Sequence, residues 1–396
     1  MKESLARAVQ PLTDERRTAA ETLLDAADLL DQAEQAMTGL GYVGETVNKK
    51  LVYLVAVSRL MPKPLSAILF AASGAGKSEL LDTLARLLPS ESVEFLSKIT
   101  PSALFYAGEE ALKHKAIIVD EQAGTADADH SIRTLQTKGL LRLAIPVKGK
   151  TQAFTARGPI ALLSGTTRSD LNPENLSRCL ELSLDDGPEQ TRRIQEAQRR
   201  AAAGRNGHEV PVELWRDAQQ VLEALEVLVP YAERLDYPAR TTKDRRDNQK
   251  LLTLIQAHAL LHQRSRERDG EGRLLATVAD YAAIHALVEG SLAPRVEGLS
   301  ARAADLYRHL AEDGEPVNRR EVMAAVGTSY MTAKRLLEEL IGQELVRRVP
   351  GDDWPRRYKI IDRSLVGVGA TLTLPEALRE QQPRPRRASR PRSSRR

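Results

Sequence analysis

The chain has 396 residues, 42% hydrophobic and 28% charged, the proportions of a globular protein with two or three domains and at least one large core. The longest apolar stretches, such as Leu51–Val57 and Ile160–Leu163, are too short for a membrane span, and Met1-Lys2-Glu3-Ser4 carries no apolar export core, so a cytoplasmic location with no membrane partner is expected. The net charge of +4 is uneven: Pro383–Arg396 holds seven arginines and no acid, and subtracting those seven leaves the rest of the chain near −3. The single cysteine, Cys179, rules out an intramolecular disulfide and a cysteine-rich zinc site, and it reads as a small packed residue.

In chain order, residues 14–38 read as one amphipathic helix, with Leu23, Leu24, Ala27, Leu30, Ala33 and Met37 at helical spacing and Gly39-Leu40-Gly41 as its end. A second helix, Glu45–Leu60, is stopped by Pro62 and Pro64. From 65 to about 184 helical stretches alternate with short apolar runs. Leu65–Phe70, Ala116–Val119, Pro159–Ser164 and Cys179–Leu184 are the expected strands of a parallel sheet covered by helices. His114 and Lys115 read as the solvated edge of the second of these. From about 187 to 290 the pattern is helical throughout (Glu189–Ala203, Val212–Tyr231, Asp244–Arg268, Val278–Glu289), an all-α lid. After about 371 the Pro/Arg/Ser composition predicts disorder.

Residues 71–78, Ala-Ala-Ser-Gly-Ala-Gly-Lys-Ser, lie between the first strand and the helical pattern Glu79–Leu88. Strand, glycine-rich turn and helix with Lys-Ser at its start form the arrangement that cradles a nucleoside triphosphate. Ser73, Gly74, Ala75 and Gly76 supply backbone N–H groups at a helix N-terminus; Lys77 reaches the β- and γ-phosphates, and Ser78 is a ligand for Mg²⁺. Ala71 stands where the pattern has its first glycine, which requires a negative φ there.

Hydrolysis also needs a metal ligand and a base. Ala116-Ile117-Ile118-Val119-Asp120-Glu121 offers both, with Asp120 on Mg²⁺ through its water shell and Glu121 polarising the attacking water. The next strand ends in Gly165-Thr166-Thr167; Thr166 and Thr167 are both candidates to sense the γ-phosphate, with ordinary turn chemistry as the alternative. Between them, two extended runs around Lys148-Gly149-Lys150 read as a β-hairpin. Its two tip lysines could meet a nucleic-acid backbone or be a solvated turn. Arg178, just ahead of the last strand, is either a surface arginine or a group that completes a neighbouring subunit's site.

Taken together, the order of phosphate loop, Asp120-Glu121, basic hairpin and sensor strand resembles the AAA+ ATPases. The nearest likeness is to the ATPase modules of phage and mobile-element primases and to minichromosome-maintenance helicases. Leu176-Ser177-Arg178-Cys179-Leu180 looks like their arginine-finger segment, and Arg246-Asp247-Asn248-Gln249-Lys250 is similar to the start of their lid helix, with Arg246 on the sensor-2 position and Arg245 beside it. The resemblance covers roughly residues 45–265. It implies ATP as the nucleotide, a homo-oligomeric ring with Arg178 acting across the interface, a lysine hairpin lining a DNA channel, and a replicative helicase of a mobile element or phage. A helicase loader or initiator, and a DNA-binding regulator with a nucleotide switch, are the alternatives. The cysteine and histidine ligands of a primase are missing, so priming is not expected; a separate primase or replication partner would supply it.

Residues 300–361 read as three helices (Ala301–Ala311, Asn318–Val326, Ser329–Leu340) and two strands (Leu345–Val349, Arg357–Ile361), which resembles a winged helix-turn-helix. Ser329, Tyr330, Thr332, Lys334 and Arg335 are its candidate groove-reading residues, and Arg347, Arg348, Arg356 and Arg357 its phosphate contacts; a protein–protein role is the alternative. The expected whole is thus an α/β P-loop NTPase (AAA+-like) core at 45–186 after an N-terminal helical segment at 1–44. A helical lid follows at 187–295, a winged helix-turn-helix at 296–365 and an Arg-rich tail at 366–396.

Overall fold

The computed structural model describes residues 11–71, 73–96, 104, 108–119, 131–132, 134–136, 138–147, 150–166, 178–185, 188–205, 209–237, 242–288, 299–313, 315–342, 346–349, 356–360 and 372–380. It forms two compact units, one of Met1–Arg234, Ala239–Ile284 and the stretch from Pro375, the other of Leu235–Pro238 and His285–Leu374. Among the described residues no helix is long and apolar enough to cross a membrane.

The first unit begins with α1 (Asp14–Leu24) and α2 (Leu29–Gly39), where one continuous helix was expected. The break falls between two aspartates, Asp25 at the C-terminus of α1 and Asp28 just before α2, a residue type with low helix propensity. Asp25 is also drawn outward, its Oδ1 2.8 Å from Arg264 Nε. Ala27, counted in the periodic apolar face, is consequently exposed.

Next comes α3 (Thr46–Val57), continued by a 3-10 turn at Ser58–Leu60; Leu51 to Val57 are all buried. A helix apolar on every side belongs in an interior, and α3 packs against α2, against a sheet face and against a later helix. Its one buried lysine, Lys49, is matched by Glu34 at 2.5 Å.

The sheet contains β1 (Ser66–Phe70), β2 (Val93–Leu96), β3 (Lys115–Val119), β6 (Ile160–Thr166) and β7 (Leu180–Ser183), all parallel, in the order β2-β3-β6-β1-β7. Strand β2 was not anticipated. It is polar at Glu94, and Glu94 pairs with Lys115 at 2.7 Å. Lys115 is therefore a buried cross-strand partner, not a solvated edge. Likewise the His114 ring bonds the Arg59 carbonyl oxygen at 2.9 Å. The helix α4 (Lys77–Arg86) follows β1, and an antiparallel hairpin, β4 (Leu140–Val147) with β5 (Lys150–Arg157), precedes β6. Leu141 and Ala156, at the hairpin base, are buried against Ile117, Val119, Ile160 and Leu162 on one sheet face. Eight residues per strand make the hairpin roughly 27 Å long.

The segment expected to be helical throughout has α5 (Pro188–Ala202), α6 (Val212–Val221), α7 (Thr242–Leu261) and α8 (Val278–Val288), plus a small parallel pair, β8 (Val227–Leu228) with β9 (Leu274–Leu275). The helix predicted to reach Tyr231 stops at Val221 because Leu222 turns extended and the Gln263 side chain captures the next residue, accepting from Glu223 N at 3.0 Å. Beneath these elements Asp280 is wholly buried. It accepts hydrogen bonds from Arg266 Nη2 at 2.6 Å and from Thr277 N at 2.7 Å, and lies 2.7 Å from His258 Nδ1. These partners outweigh burial and hold its carboxyl well below the usual range. His262, stacked on His258 at 4.7 Å, is pushed down to about 4 by burial and by the cationic groups beside it.

The second unit has α9 (Ala301–Asp313), α10 (Arg319–Val326) and α11 (Tyr330–Gly342), and a three-stranded sheet of β10 (Val317–Asn318), β12 (Arg357–Ile360) and β11 (Val346–Arg348) in that order. Asn318 and Glu321 cap α10 reciprocally, and Gly327 ends it at φ +60°. Leu306, Tyr307, Val322, Leu336, Leu337 and Tyr358 are central to its core. In the terminal segment expected to be disordered, α12 (Pro375–Glu380) is helical; Leu378 is buried and its carbonyl accepts from Arg234 at 2.7 Å.

Candidate nucleotide-binding site

The loop after β1 turns on two glycines, Gly74 at φ +82° and Gly76 at φ +92°, conformations that an L side chain rarely adopts. Gly76 is the N-cap of α4, so Lys77 and Ser78 open the helix and its first N–H groups face the loop. Ala71 has no positive φ, the condition its Cβ imposes. Lys77 Nζ donates to the Ala71 carbonyl at 2.8 Å, which folds the cation back over the loop it follows. Backbone donors, a primary ammonium and a hydroxyl thus come together at one turn, a donor set that suits a phosphate chain and its magnesium.

The loop has a second wall. Tyr42, between α2 and α3, sets its ring and hydroxyl 3.5 to 3.9 Å from where a Cβ on Gly76 would stand. Tyr42 is buried, and that burial, with Glu45 and Glu79 nearby, raises its hydroxyl far above the ordinary range, so it stays protonated. The neighbouring turn is stitched down on both sides. Glu45, at φ +55°, accepts from Asn48 Nδ2 at 2.6 Å and from Asp185 N at 2.5 Å, while Gln190 of α5 donates to the Val43 carbonyl at 2.7 Å. Sequence reasoning passed over this turn. Gly41-Tyr42-Val43-Gly44, an aromatic between two glycines, was the available sign, and only its first glycine entered the reading, as part of a helix end.

Strand register decides what lies beside the loop. Phe70 pairs with Thr166 across β1 and β6, and Ala71 N reaches Thr166 O at 3.5 Å, so buried Thr166 sits at the loop's mouth. On the far side of β6, Val119 of β3 pairs with Ser164. Asp120, Glu121 and Thr167 lie outside the described residues, as does Lys148 at the hairpin tip; Lys150 is the first residue of β5.

Arg178 is at the other end of the sheet. Leu180 of β7 pairs with Ala67 of β1, so Arg178 lies level with the start of β1, roughly 20 Å along the strands from the loop that follows its end. Arg178 and Lys77 of one chain are not brought together. Arg246 is exposed in the first turns of α7, a helix that packs along α3. In the second unit Lys334 and Arg335 are on α11, Arg347 and Arg348 on β11, and Arg356 and Arg357 at the start of β12. Ser329, among the expected reading residues, precedes α11, and its hydroxyl accepts from Thr332 N at 3.3 Å. Among the described residues no group of three or more His, Cys, Asp or Glu could hold a metal ion.

The family model of the MTBMA_p00010 P-loop domain matches residues 14–213, from the start of α1 to the first turn of α6. No curated protein matches the chain.

Proposed function

The chain belongs to the MTBMA_p00010 P-loop domain family, and on that premise we propose that it is a cytoplasmic ATP-dependent DNA motor, a helicase of AAA+ type that works as a ring of identical subunits in the replication of a mobile element or phage. The observation that carries this reading is the sheet order: β6, ending in Thr166, separates the phosphate-loop strand β1 from the strand β3 that leads into Asp120-Glu121. Thr166 thus ends the strand that lies between β1 and β3, where a γ-phosphate would be sensed.

Mg²⁺-bound ATP supplies the phosphoanhydride bond whose cleavage drives the work. For the chain's own part, the loop N–H groups from Ser73 to Gly76 and the Lys77 ammonium hold phosphate oxygens, and Ser78 and Asp120 hold the metal. Glu121 orients a water and takes its proton. Arg178 serves a neighbouring subunit, a role favoured by its distance from its own loop, and Arg246 answers to the lid side of the same nucleotide. The hairpin, long and with Leu141 and Ala156 at its base in the core, suits a basic tip at Lys148 and Lys150 that follows a DNA strand. We read the second unit as a winged helix-turn-helix that docks on duplex DNA.

The test is ATP hydrolysis measured with no nucleic acid, single strand, duplex and fork, alongside strand separation on the fork. Stimulation by single strand or fork with separation is expected. Turnover without separation would favour a loader, and failure to bind any nucleotide would overturn the proposal.

A further inference from the structure

Two adjacent apolar side chains at the start of α11 stand in water, Tyr330 at 43% and Met331 at 68% exposure. Tyr330 is nonetheless held in place. Arg319, the first residue of α10, donates from Nη1 to the Tyr330 hydroxyl at 2.9 Å and from Nε to the Tyr358 hydroxyl at 3.1 Å. Its guanidinium also lies over both rings, 5.5 Å and 5.9 Å from their centroids. Tyr358 is buried in β12, so Arg319 ties the exposed tyrosine to the sheet. A fixed aromatic with Met331 beside it, both exposed among the described residues, is a surface that suits a partner.

Charge identifies the partner's class. Arg335, Arg348, Arg356, Arg357 and Lys359 have no acidic partner among the described residues of this unit. In the backbone register, Arg347 lies opposite Lys359. Three acids of this unit are otherwise engaged: Glu321 caps α10, Glu339 accepts from Ser300 Oγ at 3.0 Å, and Glu338 is 3.7 Å from Lys334. A polyanion that also offers apolar groups meets both requirements. Duplex DNA does so in its major groove, where thymine presents its C5-methyl group.

We propose that Tyr330 and Met331 read thymine methyl groups in the major groove and that Arg319 is the positioning residue that fixes Tyr330 for this contact. The inference rests on the duplex-binding reading of the second unit and deepens it. It also adds Lys359 to the phosphate contacts.

The test uses the full chain and two labelled probes, a short alternating thymine–adenine duplex and the same duplex with deoxyuridine for every thymidine, which removes only the methyl groups. Wild type should bind the thymine duplex about four-fold tighter, the factor that burial of one methyl group carries at about 0.8 kcal/mol. Met331→Ser should abolish the preference while the slope of affinity against salt, set by phosphate contacts, stays the same. Arg319→Lys keeps the charge but cannot bridge both hydroxyls; it should also lose the preference, whereas a merely structural loss would weaken both probes equally. Equal binding of the two probes by wild type, or an unchanged preference in Met331→Ser, would overturn the inference and leave duplex binding intact. Absence of duplex binding, or self-association abolished by Met331→Ser, would overturn the duplex reading along with it.

Discussion

Gly44→Ala tests the turn that walls the phosphate loop. Gly44 has φ +73°, and a Cβ there would lie 2.5 Å from Gln190 Oε1. The left-handed backbone alone costs an alanine about 1–2 kcal/mol. The Gln190 amide must also move, which breaks its 2.7 Å bond to the Val43 carbonyl, a further loss of about 1 kcal/mol. The expected destabilisation is therefore about 2–3 kcal/mol, read by urea unfolding of wild type, Gly44→Ala, Gln190→Ala and the double variant. In the Gln190→Ala background the clash is gone, so the alanine should cost only the backbone portion, and the two changes should couple by about 1 kcal/mol. Because the same turn carries Tyr42 against Gly76, affinity for nucleotide should fall in Gly44→Ala. Strict additivity, or a single-variant cost below about 0.5 kcal/mol, would refute the reasoning.

Lys77→Ala should lose nucleotide binding by more than about a hundred-fold, the weight of a charge-assisted contact in a phosphate site, as titration calorimetry would read. Arg178→Ala subunits mixed with wild type should depress hydrolysis more than in proportion, and a linear mixing curve would show independent sites. Glu121→Gln should bind nucleotide and lose turnover, followed by phosphate release. Acidification should weaken the first unit: His262 at about 4 in the fold and about 6.5 unfolded binds fewer protons when folded. Its stabilising share is complete above about pH 6.5 and is lost as pH falls toward 4, about 3 kcal/mol across the window. Urea midpoints between pH 6.5 and 5 should fall in wild type and flatten in His262→Gln; identical slopes would remove His262 as the cause.

The phosphate loop was legible because its demands are local: two glycines where φ must be positive, a lysine and a serine opening a helix, and an apolar run before them. Four of the five parallel strands were legible for the same reason, being mainly apolar, whereas β2, half-buried and polar at Glu94, was not. Helix ends were less so. Leu23 to Met37 has one apolar period, yet Asp25 and Asp28 split it, one of them in partnership with Arg264 from a distant segment. Val221 ends its helix because of Gln263, a residue no local window contains.

Local chemistry along the chain thus determined that a glycine-rich turn opens a helix with Lys77-Ser78, and that an acidic pair and a basic hairpin follow it. Only tertiary structure decided their neighbours: that β6 inserts between β1 and β3, that Thr166 meets Ala71 while Arg178 lies at the opposite end of the sheet, and that Tyr42, Gly44 and Gln190 form a wall. The reason is physical. A turn or a helix cap is fixed by the conformational energies of a few adjacent residues, whereas strand order and register are settled by burial and backbone pairing between segments far apart in sequence, which no stretch of residues encodes alone.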